Sequence, residues 1–495
     1  MLKNSALKRC DYFFIFLLFF IAILIQQYSF FNWDASWHLL GAKRLLAGHA
    51  SYTNNLFDDN LPMVFWFFIP AVFIHHYTDI NLLFLCNLSI NVLIFFSFLL
   101  CYFFLNIIYE GKTLLEKRLV LYGLLAILLI GPGYEFAQRD SLVTTFLFPY
   151  IALIGAQIKK GNTKNTIVRI IVGLFAAIGI AMNPFYGLLI AVLEGQRAFY
   201  QKKICIATPE LLSFIGCVVL YLAIMVIFYH DYFTTIIPAF VIFCAVYNSP
   251  LIYLLLCSCA LLFYITSIVF FIHFSCAKNP WFFSVWLGTF SSFIIFLMHQ
   301  KLWESHAMPV FLMTSLLLLM LIVDMSLHKK CRQPFLLGIS ITVFFSCVVF
   351  SLYYHFYCYR LFQDKNSNTN QLIKFFNAQP KNTSLYLFSY ELVNTFSFLP
   401  YTTVNYLPAG PSLWMMVHIN APSPWTLNQQ ALQQKRIVSD FQYKKPDFVL
   451  VDISTESQKL LPNFIGTLEK NEAFKQAWRR YHIVKRIGSY DIYSR

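Results

Sequence analysis

The stretch Phe31-Asn32-Trp33-Asp34-Ala35-Ser36-Trp37-His38, running on through Gly48-His49 to Asp58-Asp59-Asn60-Leu61-Pro62, decides how this chain is read. It is the first long polar break in an apolar sequence, and it follows the run from Tyr12 to Ile25. A membrane protein usually has only a short turn at such a point. Here stand acids, two histidines and several aromatics, so a first loop over about residues 29–78 is expected, with Asp34 as its chemically active residue.

Composition sets the class. Of 495 residues, 58% are hydrophobic, 19% aromatic and only 12% charged, against roughly 25% charged in soluble domains. Repeated apolar runs match the thickness of a bilayer core, where only helices or closed barrels satisfy the backbone. The runs are continuous rather than alternating, which selects helices over barrel strands. The net charge of +14 lies in short loops and a polar tail, with no basic stripe to follow a phosphate backbone, so nucleic acid is not an expected partner. Membrane lipids are. Of the twelve cysteines none follows Cys358, and no CxxC pair occurs, so neither a disulfide framework nor a cysteine metal site is expected in the tail.

Lys3, Lys8 and Arg9 precede the first apolar run in the manner of a signal peptide, but no small-residue cleavage site follows, so an uncleaved first helix is expected. With the N-terminus inside, eleven spans follow: about 12–28, 80–108, 119–133, 141–158, two turning at Asn183-Pro184, 208–228, 250–274, 281–297, one ending at Lys329, and 334–356. The segment 62–76 is either a short span or an interfacial helix, and the alternation of later loops requires that it not cross. This arrangement puts 17 of the 37 Lys and Arg in the N-terminal segment and inner loops, against four in the outer loops before the tail, as cytoplasmic loops demand. The tail alternates strand-like runs at Ser384 to Phe388 and Asp447 to Asp452 with amphipathic stretches, and closes on a hairpin around Gly488. The expected fold is therefore mainly α, with a polytopic helical membrane domain over 1–358 and a small extracytoplasmic α/β domain over 359–495.

Every polar cluster with chemical character falls on the outer face of this arrangement. Asp34 reads as a helix N-cap or as a general base or metal ligand, with His38 one helical turn on and able to share its site. Asp58 and Asp59 read as turn residues before Leu61-Pro62, and adjacent His75 and His76 point in different directions, a poor ligand pair. Gln138-Arg139-Asp140 reads as a local pair at helix ends or as a phosphate site, because the guanidinium fork donates two parallel hydrogen bonds. Asn183-Pro184 is a turn, and Asp231-Tyr232 a loop anchor. In Gln300-Lys301-x-Trp303-x-x-His306-x-x-Pro309, Lys301 and His306 can face one cavity and suit a phosphate, or Lys301 snorkels beside an interfacial Trp. No Gly-rich phosphate loop or HExxH pair occurs, which argues against ATP-driven transport.

As an ordered set, Asp34, Trp37-His38-x-x-Gly41, Gly48 to Tyr52, Asp59-Asn60-x-Pro62, Gln138-Arg139-Asp140 and Gln300-Lys301-x-Trp303-x-x-His306 resemble the GT-C superfamily of membrane glycosyltransferases, over roughly residues 10–330. This is the group of protein mannosyltransferases and the aminoarabinose transferase of lipid A. The resemblance implies a donor sugar on a polyprenyl phosphate, an acceptor that is a glycan, lipid or protein, and a site on the outer face of a bacterial-type inner membrane with the C-terminal domain periplasmic. It implies Asp34 as the catalytic base, and Arg139, Lys301 and His306 as the groups that neutralise the departing lipid phosphate. With His38, Asp59 and Asp140 these make up the expected substrate-binding set. Asp34 stands alone rather than in a tight acidic pair, so base catalysis is expected, with a divalent metal as the alternative and no other cofactor. Asn183 stands where a basic residue would help bind phosphate. The rival readings are a lipid-linked sugar transporter or flippase and a non-catalytic envelope assembly protein. The aromatic and proline-rich stretch Tyr406 to Trp414 and Pro422 to Trp425 is expected over the membrane cavity.

Overall fold

A computed structural model describes residues 9–49, 52, 58–161, 165–245, 248–277, 279–328, 333–389, 396–410, 424–455, 459 and 463–495. Lys3, Lys8, Lys164, Lys278, Lys329, Lys330, Arg332, Trp414 and Pro422 lie outside the described residues.

The membrane domain is built from α1 (Arg9–Gln27), α2 (Trp33–Leu46), α3 (Pro62–Thr78), α4 (Leu82–Ile108), α5 (Leu114–Ile130), α6 (Arg139–Lys160), α7 (Thr166–Met182), α8 (Gly187–Gln201), α9 (Pro209–Phe228), α10 (Ile237–Ala245), α11 (Leu251–Leu256), α12 (Ser258–Ala277), α13 (Pro280–His299), α14 (Glu304–Leu327) and α15 (Pro334–Gln363). Among the described residues seven of these, α1, α4, α6, α9, α13, α14 and α15, are long and apolar enough to cross a membrane. The other four expected spans coincide with α5, α7, α8 and α12. The chain is a multi-pass membrane protein. Its centre is α6, whose side chains are buried from Asp140 through Gln157 on every face, as a helix surrounded by helices must be.

Contacts at the helix ends sort the bundle into two faces. On one, Arg118 of α5 pairs with Asp11 of α1, and Lys159 of α6 donates to the carbonyl of Ile108 at the end of α4. On the other, Ser351 of α15 donates to the carbonyl of Ile130 at the end of α5, and Asn183 after α7 donates to Asp140 at the start of α6. The alternation is the one the charged loops require. The segment 62–76 also finds its place. Its helix α3 begins beside Asn60, which meets Arg139, and Asn81 past its end lines a cavity with Asn32 and Tyr134. Both ends of α3 thus lie on the Asp34 face, and the helix runs along that face rather than crossing.

Beyond α15 come α16 (Asn368–Asn377), β1 (Ser384–Phe388), β2 (Asn405–Tyr406), α17 (Pro424–Ser439), β3 (Phe448–Asp452), α18 (Phe464–Leu468), α19 (Glu472–Trp478), β4 (His482–Ile487) and β5 (Tyr490–Ser494). The five strands form one sheet in the order β2-β1-β3-β5-β4, parallel from β2 to β3 and antiparallel from β3 to β4. The hairpin between β4 and β5 turns at Gly488, whose φ of 53° favours glycine.

The α/β domain sits on α2. Trp37 is buried in its core with Leu372, Phe396, Tyr406 and Tyr490. Arg44 donates to the carbonyls of Tyr406 and Pro408, both at 2.7 Å, and lies over the Tyr406 ring. On the opposite side Ala35 and Leu39 of the same helix join the core of the bundle. The helix that carries Asp34 is the layer between the two cores.

Candidate active site

Asn32, not Asp34, is the N-cap of α2: its Oδ1 accepts from the amides of Asp34 (2.9 Å) and Ala35 (3.2 Å). This leaves the Asp34 carboxylate free in the first turn, where the helix dipole favours an anion. Gln138 does the same at the start of α6, its Oε1 accepting from Asp140 N at 3.0 Å. The amide end of the same side chain donates to Asp34 Oδ2 at 2.5 Å. One glutamine thus fixes the acid of α2 against the head of α6.

His38 lies one turn beyond Asp34, with Nε2 3.5 Å from Asp34 Oδ1. Its ring is wholly buried, and neither nitrogen meets a hydrogen-bond partner of good geometry. Burial, and then the charge of Arg139, lower its pKa to about 3, so the imidazole is neutral. Burial raises Asp34 to about 7, against the opposing pull of Arg139 and with help from Asp59 and Asp140. The Asp34 side chain keeps 17% of its surface accessible. A carboxylate poised near neutral pH and open to a ligand suits a general base.

Arg139 extends from the first turn of α6. Its Nη1 donates to Asn60 Oδ1 at 2.7 Å, and its Nε stands 3.5 Å from Asp140 Oδ1 without a hydrogen-bond partner. Asp140 is fully buried and meets two other elements: Oδ1 accepts from Asn183 at 2.7 Å, and Oδ2 from His306 Nδ1 at 2.7 Å. The His306 ring stacks on His299 with centroids 4.1 Å apart and on Trp303 at 5.4 Å. Lys301, 7% exposed, places Nζ 4.5 Å from the centre of the Trp303 ring.

The loop before α3 forms the remaining wall. Asp58 Oδ1 accepts from the backbone of Asn60 at 2.8 Å, a turn as expected, and its other oxygen accepts from Trp37 Nε1. Burial and the charge of Asp59 push the Asp58 carboxyl well above the usual range. Asp59 is exposed, and its carbonyl accepts from Tyr232 at 2.7 Å, which makes Asp231-Tyr232 an anchor. Glu135 lies behind Asn32, which donates to it at 3.4 Å; burial and then Glu304 raise it to about 8.

All seven expected residues therefore lie on one face, and Asp34, His38, Arg139, Asp140 and His306 are joined directly or through one amide. Lys301 reaches the group through Trp303 and Asp59 through Asn60. His75 and His76, in the last turn of α3, stand apart, the first half-buried and the second exposed. Sequence reasoning left out Asn32, Asn60, Gln138, Asn183 and His299 as site residues. Asn32 had a signal, an Asn two residues before the acid of a helix start; the other amides looked like ordinary turn and cap residues. A cavity of 290 Å³ opens behind the site between α1 and α4, bordered by Asn32, Tyr134, Asn87 and Phe362.

The bundle, the α2 layer and the appended sheet together define a multi-pass membrane protein with a helical bundle and a C-terminal α/β domain. No protein-family profile matches the chain, and no curated protein matches it. Two crystal structures of ArnT from Cupriavidus metallidurans do match: one bound to undecaprenyl phosphate, with a TM-score of 0.55, and one in the apo state, with 0.54. Each match covers 97% of both chains at 10% identity, so the shared property is the fold, helical bundle and C-terminal sheet together.

Proposed function

We propose that this protein is a glycosyltransferase that moves a sugar from a polyprenyl-phosphate donor to an acceptor hydroxyl or amine on the outer face of a bacterial-type inner membrane. The observation that carries the reading is the pairing, on one face, of a carboxylate raised to about 7 with an arginine whose Nε makes no hydrogen bond. The first is a base and the second an anion site. That ArnT from Cupriavidus metallidurans, with the same fold, is bound to undecaprenyl phosphate in one of its structures supports a lipid-linked donor.

Asp34 takes the proton from the acceptor as its oxygen or nitrogen attacks the anomeric carbon. The bond from that carbon to the phosphate oxygen breaks, and the electron pair leaves with the polyprenyl phosphate. Attack opposite the leaving group inverts the anomeric centre. Arg139 donates to the departing phosphate, with Lys301 adding charge. His306, fixed by Asp140, directs its second nitrogen to the same region. Donors already in place where charge develops, in a site poor in water, lower a barrier more than any other single device. His38, neutral, offers hydrogen bonds to substrate, and Asp59 lines the exposed rim. The chemistry needs no cofactor when Asp34 acts as base. Asp34 and His38 are the residues that would hold a divalent metal there.

The test uses the full-length protein in detergent and a panel of polyprenyl-phosphate-linked sugars, with release of free polyprenyl phosphate as the readout. Asp34→Asn should lower turnover about 10²–10⁴-fold, the usual worth of a positioned base. Equal turnover in the variant and the wild type would refute the assignment.

A further inference from the structure

The face opposite Asp34 carries a second group of ionisable side chains that the transfer reaction does not use. Glu116 in the first turn of α5, Asp324 in the last turn of α14 and His328 just beyond it bring their ligating atoms within 4.8 Å of one another. His328 Nε2 is 3.2 Å from Glu116 Oε2 and 3.6 Å from Asp324 Oδ1. Three ligands around a tetrahedral ion with bonds of about 2.0–2.2 Å would stand roughly 3.4 Å apart. We propose that these three residues form a site for a divalent transition cation of the Zn²⁺ class, which ties the ends of α5 and α14 together.

Two further observations point to a cation. The ammonium of Lys112 lies against the same three side chains, 2.9 Å from His328 Nε2, 3.4 Å from Glu116 Oε1 and 3.7 Å from Asp324 Oδ1. The same Nε2 stands 3.2 Å from Glu116 Oε2, so the ring either accepts from Lys112 or donates to Glu116, and in the accepting tautomer its lone pair points inward, as a metal would require. Lys112 thus places a cation against the three side chains that would hold the ion. Its side chain is one-third exposed and follows Gly111, whose φ of 84° ends the turn after α4, so it can swing outward. The other observation is behind Asp324. Its Oδ2 is bonded at 2.8 Å to Nε2 of His273, a fully buried ring on α12, which leaves Oδ1 facing the group. A carboxylate held through one oxygen and offered through the other is the usual support of a metal ligand. One imidazole and two carboxylates suit Zn²⁺ or Mn²⁺, and the nitrogen ligand disfavours Mg²⁺.

The measurement is Zn²⁺ binding to the full-length protein in detergent after chelator treatment, by competition with a fluorescent chelator. Glu116→Gln and His328→Asn should each weaken the tight site more than tenfold. His273→Phe should weaken it 10–100-fold through Asp324 alone, and Lys112→Met should tighten it by removing the competing ammonium. Zn²⁺ should raise the melting temperature of the wild type and not that of His328→Asn. Absence of a tight site in the wild type, or equal affinity in Glu116→Gln, His328→Asn and the wild type, would overturn the proposal and leave an ion-pair cluster. A weaker or unchanged affinity in Lys112→Met would also overturn it, since the ammonium and the metal cannot share the position.

Discussion

Replacing Gln138 tests whether the ionisation of Asp34 governs the rate. The Gln138 amide donates to Asp34 Oδ2 at 2.5 Å, a bond that favours the charged carboxylate. A hydrogen bond to a charged group contributes about 1.5–3 kcal/mol, and one pKa unit corresponds to about 1.4 kcal/mol. Gln138→Leu should therefore raise Asp34 from about 7 by a further ~1–2 units. A base works when deprotonated, so the acidic limb of kcat/KM against pH should move to higher pH by the same amount. At pH 7 the ionised fraction falls from about one half to between ~0.1 and ~0.01. The rate falls about 5- to 50-fold there and recovers above the shifted limb. Leucine also removes the cap on Asp140 N, worth about 1 kcal/mol. Gln138→Glu separates the two effects: it keeps a capping oxygen, loses the donor and adds a like charge, so its limb should also move up. An acidic limb that stays near pH 7 in both variants, in the polyprenyl-phosphate release assay, would refute Asp34 as the titrating base.

Two other outcomes follow from the geometry. Arg139→Lys keeps the charge but loses the planar fork and the bond to Asn60; turnover should fall about 10²–10³-fold, as for loss of one oxyanion donor, and binding of polyprenyl phosphate by native mass spectrometry should weaken, whereas wild-type binding and turnover would remove Arg139 from the phosphate site. Trp37→Ala empties a fully buried site between the two cores, at a cost of about 3–5 kcal/mol, and should lower both the melting temperature and the turnover; loss of neither would show that the α/β domain does not hold α2.

The helical class and the alternation of its spans were legible because hydropathy and the placement of lysine and arginine report on the bilayer directly. Short strands in the tail were legible for a similar reason: Ser384 to Phe388 and the hairpin about Gly488 stand in a polar context where a β-branched or aromatic run is conspicuous. The course of α3 was not. A mostly apolar helix of 17 residues is at the lower limit of a span, and only the position of both ends beside site residues decides against crossing. Nor was the role of Trp37, whose burial against Phe396 and Tyr406 depends on a domain more than 300 positions away in sequence. The ionisable stations Asp34, Arg139, Asp140 and His306 stood out against the apolar background. The amides that join them did not, because Gln138, Asn60 and Asn183 act across separations of 104, 79 and 43 residues that no local pattern records.

Those amides explain how four ionisable groups coexist in a water-poor place. Removing an ion from water costs several kcal/mol unless its remaining donors or lone pairs are met. Asp140 meets this by serving Asn183 and His306 at once, and its bond to His306 sets that ring, stacked on Trp303, under which Lys301 is held. Arg139 spends one arm on Asn60 and leaves Nε unmatched. Asp34 accepts a single strong bond, and His38 beside it, 3.5 Å from Asp34 Oδ1, makes no hydrogen bond of good geometry at either nitrogen. Unsatisfied buried groups are rare, and they persist where a ligand completes them. Here they lie on either side of Gln138, one set a cation and the other a neutral ring beside a base. A ligand that satisfies both must present an anion to the first and an ionisable hydroxyl or amine to the second. A polyprenyl-phosphate sugar together with its acceptor offers that pair, whereas a lipid head group merely in transit offers only the anion.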